Sequence, residues 1–177
     1  MTIRTFEGIS PRFGRRVHVD PSAVVVGRVV LEDDVSIWPQ AVLRGDVQEI
    51  RVGARSNIQD GAVLHVSHDS PYNPGGIALT VGAEVTVGHR AVLHACTVGD
   101  GAFIGVNSVV LDRAVIEPRA MLGAGCLVPP GRRIEGGWLW LGQPARRARR
   151  LTDRELEYMA YIAAHYVRLK DRHGSGA

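Results

Sequence analysis

Aliphatic residues recur along this chain at every sixth position. Val19, Val25, Leu31, Ile37 and Leu43 open the series; after three extra residues it resumes at Val52, Ile58 and Leu64. A longer break precedes Val81, Val87 and Leu93, and one step of five leads to Val98, Ile104, Val110, Ile116, Leu122 and Val128. Four residues beyond most of these positions lies a small or β-branched residue, such as Ala23, Val35, Ala62, Ala91 or Ala114. A period of six is neither helical nor the period of two of a plain strand. It predicts an all-β solenoid, a parallel β-helix of hexapeptide repeats whose short strands lie on three flat faces. The seventeen marked positions amount to between five and six triangular coils. Glycines often follow the marked residue, as at Gly53, Gly82, Gly88 and Gly105, and are expected to supply unusual corner dihedrals.

Two interruptions stand out. The first, Gly45 to Arg51, reads as a small excursion; the second, Val66 to Thr80, holds Pro71, Pro74, Gly75 and Gly76 and reads as a protruding loop. The period fades after about Ile134, and the stretch from Trp138 to Pro144 closes the solenoid. Thr152-Asp-Arg-Glu155 is a capping box that opens a helix to about Lys170. Its stripe of Leu156, Met159, Ala160, Ala163 and Val167 predicts packing along the solenoid. Residues 1–150 therefore form the β-helix with its closing segment, and 151–177 the helical appendage.

Composition narrows the setting. With 45% hydrophobic and 22% charged residues, the 177-residue chain is globular rather than disordered. No run approaches the roughly 18 apolar residues of a membrane span, and the first residues are too polar for a signal peptide. Cys96 and Cys126 cannot build a disulfide framework, so a reduced, cytoplasmic location is expected. The net charge is +3, and only Arg146, Arg147, Arg149, Arg150 and Arg154 cluster. Without aromatic interleaving or a DNA-binding motif, these arginines do not indicate a nucleic-acid partner.

The histidines carry the chemistry. If each interruption returns the chain to the face it left, Arg44, His65 and His94 hold equivalent positions in successive coils. They then stack in one column at about 4.8 Å per rung. His89 belongs to the neighbouring face and stacks over Asp60. Five residues of strand reach about 16 Å, whereas zinc–nitrogen bonds are about 2.0–2.1 Å. One chain cannot easily bring all three imidazoles onto one ion, but a threefold trimer brings His89 of one subunit to His65 and His94 of the next.

Leu43-Arg-Gly-Asp46, Ser56-Asn-Ile-Gln-Asp60, His65 and Val87-Gly-His89-Arg-Ala-Val-Leu-His94 resemble the signature of gamma-class carbonic anhydrases and their bacterial homologues. The resemblance runs from about residue 10 to 170 and implies a left-handed coil, a homotrimer and intersubunit zinc sites. It assigns His65 and His94 to the metal from one chain and His89 from its neighbour. Three neutral imidazoles leave zinc its charge and an open position, so its bound water has a pKa near 7 and hydroxide can attack CO2 to give bicarbonate. By the same likeness Gln59 orients that hydroxide and Asp60 is its hydrogen-bonding neighbour. Arg44 and Asp46 form an ion pair across the subunit boundary, with Arg44 attracting bicarbonate, and Tyr166 is an active-site tyrosine. Iron or cobalt suits the same ligands.

The chain also departs from the family. Val47 replaces a glutamate after the Arg-Gly-Asp, and the acidic proton-shuttle loop has no counterpart, leaving His68, Asp69 and Tyr72 as its polar groups. Slow hydration limited by proton export is the expectation, with His68 a partial substitute. Two other readings stay open: a hexapeptide acyltransferase using acyl-CoA, which shares the scaffold, and a catalytically weak metal-binding trimeric assembly protein.

Overall fold

Strands mostly two or three residues long, each followed by a turn, stack in parallel on three faces, two of which are joined into one sheet by strands that span both. The computed structural model describes residues 2–174; Met1 and 175–177, at the ends of the two expected units, lie outside the described residues. Each face carries seven rungs. The first runs from Ile3–Arg4 through Val24, Val42, Val63, Val92 and Val109 to Leu127–Val128. The second runs from Arg12–Phe13 to Arg133–Ile134, and the third from His18–Val19 to Trp138–Leu141. The architecture is the parallel β-helix that the period predicts, left-handed as the family resemblance implies, with the one C-terminal helix that the capping box announces. Its coil count exceeds the expected five to six because the counted series runs only from Val19 to Val128, with further rungs before it at Ile3–Arg4 and Arg12–Phe13 and after it at Arg133–Ile134 and Trp138–Leu141. Ile3, Arg4, Arg12 and Phe13 are exposed, so nothing there selects for a buried residue.

All the marked aliphatics point inward. Every one is buried except Val19, which is half-buried, and the companions Ala23, Ala41, Ala62, Ala91 and Ala114 are fully buried. Burying a Val, Leu or Ile side chain stabilises by about 1.5–3 kcal/mol relative to exposure. A triangular coil spends one large and one small residue per face, which is the origin of the six-residue spacing.

Three expectations need correction. The glycines after the marked residues are not there for their dihedrals. A Cβ on Gly105 would lie 2.5 Å from the carbonyl carbon of Gly123, and one on Gly53 2.5 Å from that of Gly82. The left-handed φ falls two residues later, on Arg55, Glu84, Arg90 and Asn107, all near +60°. Close approach between coils excludes a side chain at the first position, while the second tolerates an exposed polar residue. Second, Gly45 to Arg51 does not leave the sheet. One strand, Val42–Val52, spans two faces and absorbs the extra residues as a bulge between Gly27↔Gly45 and Val29↔Ile50. This bulge directs Asp46 toward the column that begins at Arg44. Third, the helix runs Asp153–Gly174, beyond Lys170.

The helix starts as its capping box requires. Thr152 N donates to Glu155 Oε2 at 2.9 Å and Glu155 N to Thr152 Oγ1 at 3.2 Å. It lies on the third face, where Tyr166 meets Trp38 edge-on at 5.3 Å and Tyr158 approaches Phe103 at 6.3 Å. Met159 and Ala163 are buried as the stripe predicts, but Ala160 is exposed. Lys170 is 3% exposed and pairs with Asp34 at 3.1 Å, beside Arg16 on the same carboxylate. The clustered arginines form a strand that the hexapeptide pattern does not reveal. Arg146–Arg150 runs antiparallel to Trp138–Leu141, with Arg147 and Arg150 over the Trp138 ring at 4.3 and 4.4 Å. No helix among the described residues is long and apolar enough to cross a membrane.

Candidate metal centre

The ladder places Arg44 beside His65 and His65 beside His94 in consecutive rungs of the first face. Here the interruptions do return the chain to the same face, and the column expected from the spacing forms. His65 Nδ1 lies 3.2 Å from His94 Nε2. The outer nitrogens meet carboxylates: His65 Nε2 lies 3.2 Å from Asp46 Oδ1, and His94 Nδ1 lies 2.6 Å from Asp112 Oδ1. Arg44 Nη1 donates to the other oxygen of Asp46 at 2.5 Å, a pair formed within the one chain described. Ser67 Oγ donates to Asp112 Oδ2 at 2.6 Å.

The carboxylates bias where the histidine protons sit. Burial pushes the Asp46 carboxyl up, but hydrogen bonds from Arg44 and His65 outweigh it and the net shift is down. Asp112 behaves alike, with Ser67 and His94 as its donors. Both therefore stay ionised and accept only, so the facing histidine nitrogens carry the protons. Burial, ahead of the opposing bond to Asp46 and aided by the charge of Arg44, lowers His65 and keeps its ring neutral. The two inner nitrogens then turn lone pairs toward each other, as metal-ligating imidazoles do when carboxylates hold their outer N–H groups. The donor set fits a divalent cation such as zinc. Cys96, two residues on, stays a thiol: burial first, then the charge of Asp112, pushes it up to about 12.

A second group forms at the corner between the third and first faces. His89 Nδ1 lies 2.9 Å from Asp60 Oδ2, in the stacking the spacing predicts, and both side chains are nearly half exposed. Gln59 is buried and donates from Nε2 to Asn57 Oδ1 at 3.0 Å, while Asn57 donates to Thr86 Oγ1 at 3.0 Å. Burial first, then the charges of Asp60 and Tyr158, raises Tyr166, whose ring packs against Trp38 and His165. So the structure gathers Arg44, Asp46, His65 and His94 into one cluster and pairs His89 with Asp60 in another; Gln59 instead bonds to Asn57, and Tyr166 packs against Trp38 and His165. Among the described residues of the single chain, no three His, Cys, Asp or Glu side chains converge in a metal-holding group.

Sequence reasoning missed Asp112 and Ser67. Asp112 was detectable, because the next rung below His94 ends at Val110 and its turn carries Leu111-Asp112. Ser67 had no signal, since its position depends on the loop. At the base of that loop Ser67 pairs with Ile77 in both directions, and on its returning limb Gly75 O accepts from Gln48 Nε2 at 2.8 Å. His68 is exposed beside Ser67.

Coil, column and corner define a hexapeptide-repeat β-helix protein with a histidine–carboxylate centre. No protein-family profile matches the chain. Protein YrdA of Escherichia coli is 48% identical over 171 residues, covering 97% of this chain and 93% of that protein. The mitochondrial gamma carbonic anhydrase 2 of Arabidopsis thaliana is 45% identical over 168 residues, 94% of this chain, although these span only 59% of the plant protein. A crystal structure of a hexapeptide transferase family protein from Anaplasma phagocytophilum matches with a TM-score of 0.88 at 38% identity, over 96% of both chains. The chain belongs to the gamma-class carbonic anhydrase family.

Proposed function

We propose that this protein is a zinc-dependent carbonic anhydrase that hydrates CO2 reversibly to bicarbonate at sites shared between subunits of a homotrimer. The observation that carries this reading is the pair of imidazoles at 3.2 Å whose outer nitrogens face carboxylates. The 45% identity to a gamma carbonic anhydrase supports it. His65 and His94 of one chain and His89 of the next would hold the ion. Zinc, when bound there, supplies a Lewis acid that makes water nucleophilic near neutral pH.

The remaining work falls to the chain's own groups. Asp60 holds Nδ1 of His89 and so fixes that ring. Gln59, anchored by Asn57, offers its amide to orient the attacking water. Arg44 supplies positive charge for bicarbonate, and Asp46 aims both Arg44 and His65. Tyr166 walls the corner from the helix side. Two free, buried cysteines suit a cytoplasmic enzyme.

Zinc analysis of the isolated protein, paired with a CO2 hydration assay, tests the proposal. About one zinc per chain and hydration lost on chelation are expected; iron or cobalt at the same stoichiometry would change the metal but not the class. Full metal without hydration would instead favour a metal-stabilised assembly protein. The likeness to the Anaplasma protein favours a second reading, acyl transfer from an acyl-CoA. That chemistry needs one catalytic histidine, so acyl transfer by metal-free protein would replace the hydratase reading.

A further inference from the structure

We propose that Asp112 is the positioning residue for His94, and that Ser67 couples it to the base of the long loop. The inference rests on the zinc reading for its purpose but not for its geometry. The 2.6 Å contact from His94 Nδ1 to Asp112 Oδ1 is the shortest of the three histidine–aspartate contacts; the others are 3.2 Å at Asp46–His65 and 2.9 Å at Asp60–His89. Asp112 is a full coil from His94 in sequence, so it holds the ring from the next rung. Its second oxygen is occupied by the Ser67 hydroxyl at 2.6 Å, and Ser67 is 8% exposed.

Ser67 is itself held. Its N–H donates to Ile77 O at 3.0 Å and its carbonyl accepts from Ile77 N at 2.9 Å. Gly76 crosses so close that a Cβ there would lie 2.8 Å from Ser67 O. A chain of contacts therefore runs from the loop base through Ser67 and Asp112 to His94, and ends with Nε2 of His94 unprotonated and facing His65. Without Asp112 the ring is free to rotate or to carry its proton on Nε2, where it cannot bind a metal. Outer-shell partners of this kind typically contribute about 10–100-fold in metal affinity.

The test uses the intact trimer at fixed pH, with two readouts. Imidazole nitrogen NMR of the zinc-free protein, assigned by the signal lost in His94→Asn, should show His94 as the Nδ1–H tautomer. Chelator competition should show Asp112→Ala binding zinc roughly 10–100-fold more weakly. Asp112→Asn, which keeps an acceptor but loses the charge, should fall between it and wild type, and Ser67→Ala should show a smaller loss in the same direction. An Nε2–H tautomer in the wild type, or wild-type affinity in Asp112→Ala, overturns the proposal. If Asp112→Ala fails to assemble, wild-type affinity in Asp112→Asn overturns it equally. A wild type that binds no zinc defeats the zinc reading, while the tautomer still decides the Asp112–His94 relation.

Discussion

His65 Nδ1 faces His94 Nε2 at 3.2 Å, and neither nitrogen has a hydrogen to offer the other once both rings have donated outward. Two lone pairs at that distance repel unless a cation lies between them. A metal ion satisfies both nitrogens together, and a third imidazole on another subunit would complete the set.

If the site is shared, damage on opposite sides of it should complement. Chains carrying His89→Ala keep the paired histidines, and chains carrying His94→Ala keep the corner histidine. Each homotrimer should lack intact sites, whereas random co-assembly should restore about one site in four. Zinc content of co-expressed chains is the measurement. No recovery in mixed trimers would sink the intersubunit arrangement.

Arg44 bonds to Asp46, and Asp46 in turn holds His65. Arg44→Ala should leave Asp46 charged and poorly compensated at the edge of the shared site. Sedimentation at low concentration should then reveal smaller species, and a profile matching wild type would count against a role in assembly.

Asp34 ties the helix to the solenoid. The hydrogen bond from Arg16, opposed by burial and reinforced by Lys170, holds its carboxyl at about 2. An unfolded aspartate titrates near 3.9, so the native state holds this proton more weakly. The resulting stability is present above about pH 4 and is lost as pH falls toward 2. Asp34→Ala should destabilise by roughly 3 kcal/mol at pH 7, because buried Lys170 loses its partner on the solenoid and keeps the more exposed Asp171. In thermal melts the gap from wild type should narrow between pH 4 and 2. An equal gap at pH 7 and pH 2.5 would refute the linkage.

The sequence revealed the coil because each inward position is filled by one side chain and tolerates only aliphatics. It revealed the Arg44–His65–His94 column because the ladder turns sequence spacing into spatial order. Asp112 escaped because its role lies one coil further along, at an outward position the core pattern does not constrain. The Arg146–Arg150 strand escaped because it is wholly exposed and runs antiparallel at the end of the stack. The corner glycines carry a spacing constraint that one repeat does not display, since contacts between coils join residues a full coil apart.

That constraint is measurable. Gly105→Ala would drive a Cβ to 2.5 Å from Gly123, between two backbones that cannot yield, and should cost roughly 1–3 kcal/mol. Asn107→Gly, at φ 56°, relieves a left-handed residue and should change stability by less than about 1 kcal/mol. If thermal melts reverse that order, dihedral freedom rather than close approach governs the corner.

Proton export should limit turnover. Every hydration releases a proton, and the route outward has few relays. Val47 stands in the bulge beside the column, and the loop from Val66 to Thr80 contains no glutamate. Asp69 already accepts from Gly75 N at 2.7 Å, which commits one oxygen to holding the loop. His68 is exposed beside Ser67, and histidine is the one side chain whose ordinary pKa suits proton transfer near neutrality. Added imidazole should therefore accelerate CO2 hydration at low buffer, and His68→Ala should deepen that dependence without changing zinc content. The pairing matters, because loss of rate with loss of zinc would report on the loop base through Ser67 instead. A fast rate at low buffer, indifferent to imidazole, would place the slow step elsewhere and leave His68 an ordinary loop residue.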